Sequence, residues 1–301
     1  MKPVEQTPAE LGRAKALLAP RNVGFDWSTL PVHWVPGDPV TTHVLNVLHL
    51  FLPAVEYWFV ETYKETYPLI TDENLRADVI GFIGQESVHA DAHSGVLENL
   101  TANGIDPTAF VSQMDWIFSK ILGPYRDDGA TNINQLVERL ALIAAFEHIT
   151  AFMGEWVLNA SGLDAAGADP RMLDLLRWHG AEEVEHRAVA YDVLCYFDRR
   201  YSRRIRALLY MGPVTLFVFA QGTIFLLKSD PTLKKGTVSL SSALWSGFTT
   251  AVRRGTLPSP ISLLTRVAAY LDPGYHPTNH GSTEQAVTYL ATSPAVRAMQ
   301  K

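Results

Sequence analysis

The chain has 301 residues, of which 47% are hydrophobic and 19% charged, a composition that excludes a disordered or fibrous protein. Its net charge of -6 supplies no overall positive field, so we expect no nucleic-acid partner. The single cysteine, Cys195, excludes an intrachain disulfide and a multi-cysteine metal site. The N-terminus lacks an apolar stretch before a small-residue cleavage site, which predicts no signal peptide and a cytoplasmic location.

Helix start and stop signals recur along the chain, with almost no period-2 alternation of the kind that marks strands. We therefore predict an all-α fold in a single domain, residues 1–301. The expected parts are an irregular N-terminal arm over 1–37, a four-helix core over 38–200, an apolar helix over 203–228 and a C-terminal helical region over 229–301. Three short amphipathic helices are expected in the last part.

Four long helices are expected in the core. The first begins at Asp38-Pro39 with a kink at Pro53, and the second is capped by Thr71. Their predicted ranges are about 39–67, 72–100, 132–159 and 170–198, with a shorter helix after Asp106-Pro107. Helices of about 28 residues are about 40 Å long, enough for a complete four-helix bundle.

Residues 207–227 carry no charge, and a run of that length could cross a membrane. Gly212, Pro213, Gln221 and Gly222 interrupt it, and a single span would separate the last part of the chain from the core. We therefore favour a helix buried against the bundle or against a partner subunit, as in a homodimer. Peripheral membrane contact and a true span stay open.

Two of the long helices each carry one acid inside an apolar run. Glu56 is the only charged residue in 44–60, and Glu147 is the only acid in 140–153. A buried carboxylate without a partner costs several kcal/mol or becomes protonated, so each position requires a partner. A narrow exposed stripe on the helix would explain either acid alone.

The other two long helices each contain Glu-x-x-His. This spacing places a carboxylate and an imidazole one turn apart on one face, where both can reach a metal at about 2.0 to 2.2 Å. Two such motifs alternating with two lone acids match the ligand pattern of di-iron and di-manganese carboxylate proteins. The predicted metal ligands are Glu56, Glu86, His89, Glu147, Glu183 and His186.

Neighbouring residues compete with these ligands for the same roles. Glu61 and Glu65 are interpreted as surface acids beside Lys64, Glu185 as exposed, and His148 as a packing residue. Residues expected to contact the ligands on their outer side are Gln85, His93, His179 and Glu182, and His93 is also a candidate for an extra ligand.

Several segments also resemble a known family. They are HWVPGDPVTTHVLNVLHLFLPAVEYWFV, FIGQESVHADAH, FEHITAF, WHGAEEVEHRAVAYDV and GYHP. They closely resemble the bacterial predicted metal-dependent hydrolases, a branch of the ferritin-like group, from about Phe25 to about Pro277. The resemblance implies a ferritin-like four-helix bundle with additional C-terminal helices, and its motifs fall on the six predicted ligands.

Two positions depart from the family pattern. The family usually has Gly-Glu where this chain has Val55-Glu56, which leaves the ligand in place. The family commonly has an acid directly before a second His that follows its Gln-Glu-x-x-His segment, whereas Asp91-Ala92 stands between His89 and His93 here.

The donor types alone do not choose between iron, manganese and zinc for the two metal ions. Similarity to ferritin-like sites favours a di-iron oxygenase or oxidase that uses dioxygen on an apolar organic substrate. An external reductase is expected, because the sequence has no flavin or nicotinamide fingerprint. The competing hypotheses are a hydrolase with a dimetal-activated water and a ferritin-like iron-handling protein. Candidate cavity-lining aromatics are Trp58, Phe59, Phe82, Phe146 and Phe152.

Overall fold

The structure is a computed structural model that describes residues 18–124, 126–127, 130–233 and 240–300, with side chains described for all of these except 126–127, 130–131 and 240–243. Over these residues the fold is all-α apart from one antiparallel pair of two-residue strands, β1 (Arg126–Asp127) and β2 (Ala130–Thr131), which confirms the predicted fold class. Residues 1–17 of the predicted arm lie outside the described residues.

The helices are α1 (Pro39–Thr66), α2 (Glu73–Ala102), α3 (Thr108–Trp116), α4 (Ile133–Leu158), α5 (Ser161–Ala165), α6 (Pro170–His186), α7 (Val189–Phe197), α8 (Tyr201–Ser229), α9 (Leu240–Arg254), α10 (Pro260–Ala269), α11 (Thr283–Leu290) and α12 (Pro294–Ala298). Short turns of 3-10 helix cover Tyr67–Leu69 and Pro277–Asn279, and a π-helical turn covers Ile117–Ile121.

Side-chain caps explain where the first long helices begin. Asp38 accepts a hydrogen bond from the backbone N–H of Thr41, with Pro39 in the first helical position. The predicted cap of α2 at Thr71 is wrong by one residue. Asp72 accepts from the backbone N–H of Leu75, while the Thr71 hydroxyl is bonded to the Tyr196 hydroxyl at 2.8 Å.

The fourth long helix is interrupted, although the sequence predicts it unbroken to about residue 198. Helix α6 ends at His186, and α7 begins at Val189. The Arg187 guanidinium donates to the Val184 carbonyl, which an unbroken helix would use for the N–H four residues later, and to the carbonyl of Pro277 at 3.2 Å. The side chain therefore competes with the backbone ladder directly after a predicted ligand.

The C-terminal region contains four described helices, α9 to α12, and not the three expected. The connection between α9 and α10 covers residues 255–259. Gly255 adopts a positive φ of 71° there, and Ser259 then caps α10 by accepting from the backbone N–H of Ser262.

The long helices pack most extensively in two pairs, α1 with α2 and α4 with α6, and α8 lies against both α1 and α4. Two clusters of buried apolar side chains result, one around Phe59 and Phe82 and the other around Trp34 and Trp178. The polar residues of the predicted site lie between these clusters.

Helices α4 and α6 cross at two glycines. A Cβ added at Gly154 would collide with the Gly180 carbonyl oxygen, and one added at Gly180 would lie 2.7 Å from the Gly154 Cα. The absence of both side chains lets the two backbones touch. This contact brings Glu147 of α4 and Glu183 of α6 to the same level of the core.

Helix α8 is buried along one face only. Its exposed large apolar side chains are Tyr201, Leu209, Tyr210, Val214, Leu216 and Phe217. Among the described residues, Pro39–Leu69 and Tyr201–Ser229 are long and apolar enough to cross a membrane; the most apolar window is 72% buried in the first and 22% buried in the second. The bundle therefore does not enclose the 207–227 helix within this chain.

Replacing Gly154 with Ala should lower the free energy of unfolding by about 1 to 3 kcal/mol, because the new methyl group meets backbone that cannot move aside. Chemical denaturation measures this change. Gly95→Ala on α2 is the matched control, since its Cβ would meet only the flexible Trp27 side chain at 3.2 Å. An equal loss in the two variants would contradict the importance of the α4–α6 contact.

Candidate metal centre

The six residues predicted as ligands lie together in the core, on four different helices. Glu56 comes from α1, Glu86 and His89 from α2, Glu147 from α4, and Glu183 and His186 from α6; all six are buried. Three carboxylates surround one imidazole nitrogen. The Nε2 atom of His186 lies 3.1 Å from Glu147 Oε2, 3.2 Å from Glu86 Oε1 and 3.5 Å from Glu183 Oε2.

The donor atoms fall into two adjacent groups. Glu86, Glu147, Glu183 and His186 each offer one atom, and these atoms all lie within 4.8 Å of one another. Glu56, His89 and His179 form a second group with the same spacing. Contacts across the two groups are short, because His89 Nδ1 lies 3.6 Å from Glu183 Oε1 and 3.9 Å from Glu86 Oε2.

The hydrogen bonding of these atoms fits bound metal. Each of the six residues has at least one buried donor or acceptor atom without a hydrogen-bond partner in the described structure. These atoms are Glu56 Oε1 and Oε2, Glu86 Oε1 and Oε2, His89 Nδ1, Glu147 Oε2, Glu183 Oε2 and His186 Nε2. Native proteins rarely leave buried polar atoms unpaired, and unpaired carboxylate oxygens beside bare imidazole nitrogens are the donors that divalent metals prefer.

The pKa shifts of the four carboxyl groups also fit bound metal. Burial, together with the neighbouring carboxylates, raises the pKa of Glu56 and of Glu86 well above the ordinary value, and burial raises that of Glu147 to about 7. Burial also acts on Glu183, but His186 and His179 outweigh it and its pKa is lowered. A divalent cation would supply the positive charge that these carboxylates lack.

Both histidines among the six predicted ligands form a hydrogen bond through the ring nitrogen that faces away from the cluster. His89 Nε2 lies 3.0 Å from Glu182 Oε2, which leaves Nδ1 facing the cluster. His186 Nδ1 lies 3.1 Å from Gln85 Oε1, which leaves Nε2 facing the cluster. A partner on the far nitrogen fixes the tautomer and raises the basicity of a metal-binding imidazole.

The outer carboxylates are neutralised by an arginine of the N-terminal arm. Arg21 Nη1 lies 2.8 Å from Glu182 Oε1 and 2.7 Å from Glu185 Oε2. Gln85 Nε2 donates to the same Glu185 oxygen at 2.8 Å. The prediction that Glu185 is exposed is therefore wrong, because it links the arm to the residue that orients His186.

Glu61, Glu65 and His148 lie outside the metal-ligand cluster. Glu61 is exposed and pairs with Lys64 at 2.9 Å, whereas Glu65 is buried against Arg139 at 2.6 Å. The interpretation of Glu65 as a surface acid is wrong, since a cation on α4 neutralises it. His148 packs away from the cluster, with its ring nitrogens 2.7 Å from the Tyr275 hydroxyl and from the Arg266 carbonyl.

A third group of potential ligands lies elsewhere and consists of His33, His43 and Asp230. His33 Nε2 and His43 Nε2 lie 2.6 and 2.8 Å from one oxygen of Asp230, and Thr232 bonds the other oxygen at 2.7 Å. This group has a single carboxylate with both oxygens hydrogen-bonded, unlike Glu56 and Glu86, and His43 Nδ1 is its only buried atom without a partner among the described residues. This cluster ties the arm to the start of α1 and the end of α8.

An apolar cavity reaches the metal-ligand cluster. It encloses about 600 Å³ of space, part of which is open to solvent, and His179 and Glu183 are among its lining residues. The apolar side chains of its wall are Leu45, Leu48, Phe51, Leu52, Phe146, Ile149, Met153, Trp156, Val157, Leu176 and Phe219. Of the five aromatics predicted to line a cavity, Phe146 lies on this one; Trp58, Phe59 and Phe82 pack in the apolar core, and Phe152 lines a smaller pocket beside His148.

Sequence reasoning missed two residues of this region. Arg21 lies in the arm, and nothing near it in the sequence indicates its carboxylate partners. His49 hydrogen-bonds His93 at 2.8 Å and lies in an apolar run seven residues before Glu56. Seven residues are two helical turns, so its position on the face of Glu56 was a usable signal.

Fold and site together define an all-α protein with buried Glu and His clusters that can bind metal. The chain belongs to the family described as predicted metal-dependent hydrolase, whose model matches residues 19–281. The matched segment contains all six clustered ligands and Arg21. No curated protein and no solved structure is found to match the chain.

Replacing Glu147 with Ala should lower the metal bound per chain, because a ligand carboxylate is lost. Elemental analysis of protein dialysed against metal-free buffer measures this. Glu61→Ala is the matched control, because it removes an exposed carboxylate, and it should retain the metal content of the unchanged chain. Glu65 is unsuitable as a control because its loss would leave Arg139 without its carboxylate partner. Equal metal content in the two variants would refute the ligand assignment.

Replacing Glu147 with Gln should favour the folded metal-free protein more near pH 8 than near pH 5. Burial raises the pKa of Glu147 to about 7, so this carboxyl is protonated in the folded state between its ordinary range and about pH 7. The stability that it contributes is lost as the pH rises through this window, whereas Gln stays neutral; the buried histidines with lowered pKa act in the opposite direction in both proteins. Denaturant titration of the two chelator-treated proteins at both pH values measures the change, and an equal effect of Glu147→Gln at pH 5 and pH 8 would contradict it.

Bound metal should reverse the pH dependence of the Glu147 contribution, because protons compete with metal for the same carboxylates and imidazoles. The metal-loaded protein, measured in parallel, is the control.

Proposed function

We propose that the protein is a dimetal-carboxylate enzyme, most simply with two irons, that uses dioxygen to oxidise an apolar organic substrate. The observation that carries the proposal is the position of the unpartnered ligand cluster, with four carboxylates and two imidazoles beside an apolar cavity. Buried sites of this donor composition in four-helix cores hold di-iron and di-manganese centres in other proteins.

The cavity suits an apolar substrate. Side chains of α1, α4, α6 and α8 line it, and Ile149 and Leu176 belong to its wall. Burial of an apolar molecule against such a wall is favourable by about 25 cal/mol per Å². The substrate would therefore be held by shape and by exclusion of water.

Few polar groups line this space. The Thr150 hydroxyl lies 3.4 Å from Glu147 Oε1, and His179 Nε2 lies 2.8 Å from Glu183 Oε1. In the metal-free structure these contacts orient the two carboxylates, and the Thr150 hydroxyl can hold a proton near the reacting atoms.

A bound di-iron centre supplies the activation of dioxygen that no side chain can perform. Hydroxylation then requires one substrate, one dioxygen, two electrons and two protons, and it gives one alcohol and one water. The electrons must come from a separate reductase, because the sequence carries no flavin or nicotinamide fingerprint.

The second candidate is hydrolysis, which the description of the family favours. In that case two ions would lower the pKa of a bound water, and the apolar cavity would hold the acyl or alkyl part of an ester, amide or phosphate. Hydrolysis needs neither dioxygen nor a reductant.

One experiment separates the two candidates. Protein purified without chelators is analysed for metal, and oxygen consumption is followed with a chemical reductant and a series of apolar compounds. We expect about two irons per chain and consumption that depends on the reductant and rises with a suitable compound. Two zinc or manganese ions, together with anaerobic cleavage of apolar esters, would instead support hydrolysis.

Two variants make this test specific. Glu147→Ala should abolish the reaction and lower the metal content. Ile149→Trp fills the cavity without removing a ligand, so it should raise the KM for the apolar compound while the metal content stays the same. An unchanged KM would place the substrate outside this cavity.

A further inference from the structure

The two groups of donor atoms are unequal unless a third histidine is counted. Glu86, Glu147, Glu183 and His186 form one complete group, whereas Glu56 and His89 are the only predicted ligands in the other. His179 joins these two, with one donor atom from each residue within 4.8 Å of the others. Divalent metals of this class take at least four ligands, so a group of two protein donors leaves one ion weakly held.

His179 is positioned for metal and not merely for packing. It is one turn before Glu183 on α6, and its ring stacks on that of His89 with centroids 4.1 Å apart. Its Nε2 atom lies 3.6 Å from Glu56 Oε1, a contact that leaves both Glu56 oxygens without a hydrogen bond. A cation between them would satisfy the carboxylate and the imidazole together.

We infer that His179 is a seventh ligand of the centre and gives the ion held by Glu56 and His89 its third protein donor. This inference rests on the dimetal centre proposed above. The centre then has three imidazoles and four carboxylates, with two of the three imidazoles on one ion.

The hydrogen bonds behind His179 form a chain of buried imidazoles. His179 Nδ1 lies 2.5 Å from His93 Nε2, and His93 Nδ1 lies 2.8 Å from His49 Nδ1. Burial lowers the pKa of His93 and His49, so each ring carries a single proton. Because each ring has one N–H donor, the two hydrogen bonds that link His179, His93 and His49 must both run from His179 towards His49 or both run the opposite way.

Metal binding at His179 selects one of these directions. A ligating Nε2 is bare, so His179 donates from Nδ1 to His93 Nε2, and His93 donates from Nδ1 to His49 Nδ1. The last proton then sits on His49 Nε2, an atom with no partner among the described residues. With His179 protonated on Nε2 and donating to Glu183, all three rings carry the opposite tautomer.

The first test is zinc titration of chelator-treated full-length protein, followed by calorimetry. The unchanged chain should bind two ions at the centre, and His179→Ala should bind one ion with unchanged affinity and the other more than about 100-fold more weakly, since loss of an outer partner alone costs 10–100-fold. His148→Ala is the matched control, because it removes a buried imidazole outside the cluster, and it should bind as the unchanged chain does.

The outcomes separate this inference from the proposed function. Two equally tight ions in His179→Ala would overturn the seventh ligand and leave the dimetal centre standing. Failure of the unchanged chain to bind two ions would overturn both.

The second test needs no variant and therefore does not depend on the folding of His179→Ala. Histidine-selective 15N NMR reports which ring nitrogen carries the proton in metal-free and zinc-loaded protein. Zinc should remove the proton from Nε2 of His179 and move the proton of His49 from Nδ1 to Nε2. A zinc-loaded spectrum in which His179 keeps its Nε2 proton would overturn the inference.

Discussion

Four carboxylates share a small volume in the core, and every described ion pair that reaches them comes from a histidine. Burial raises the pKa of Glu56 and Glu86, and repulsion between the neighbouring carboxylates raises it further, so both effects favour protonation. Hydrophobic burial on either side holds them there, with Phe82 edge-on to His186 and Trp178 edge-on to His89. The fold thus gathers four buried carboxylates whose negative charge bound metal could balance.

The inner and outer carboxylates of the site have different cationic partners. The inner carboxylates have no arginine or lysine partner in the described chain, whereas Glu182 and Glu185, one layer out, share Arg21. An arginine closer in would compete with a metal for the inner oxygens. Arg21 pairs with Glu182 from outside the cluster, and the other oxygen of Glu182 stays available as an acceptor for His89.

The parts of this arrangement that depend on helical periodicity could be predicted from the sequence. Glu-x-x-His fixes two side chains on one face, and a lone acid such as Glu56 in an apolar run must be buried with a partner. Contacts between distant segments could not be predicted. Arg21 has no local signal for its partners, and the break at Arg187 depends on a carbonyl ninety residues away, that of Pro277. The buried pairing of Glu65 was missed for the same reason, because its cation lies on another helix.

Helix α8 separates the cavity from the outside by the thickness of a single helix. Thr215 and Phe219 face the cavity, while Val214 and Phe217 on the other side of the same helix are exposed. A helix with its side chains is about 10 Å across, so a wall about 10 Å thick separates the cavity beside the metal-ligand cluster from the outside. Apolar side chains cover both faces of this helix, so an apolar molecule would meet less resistance there than an ion would.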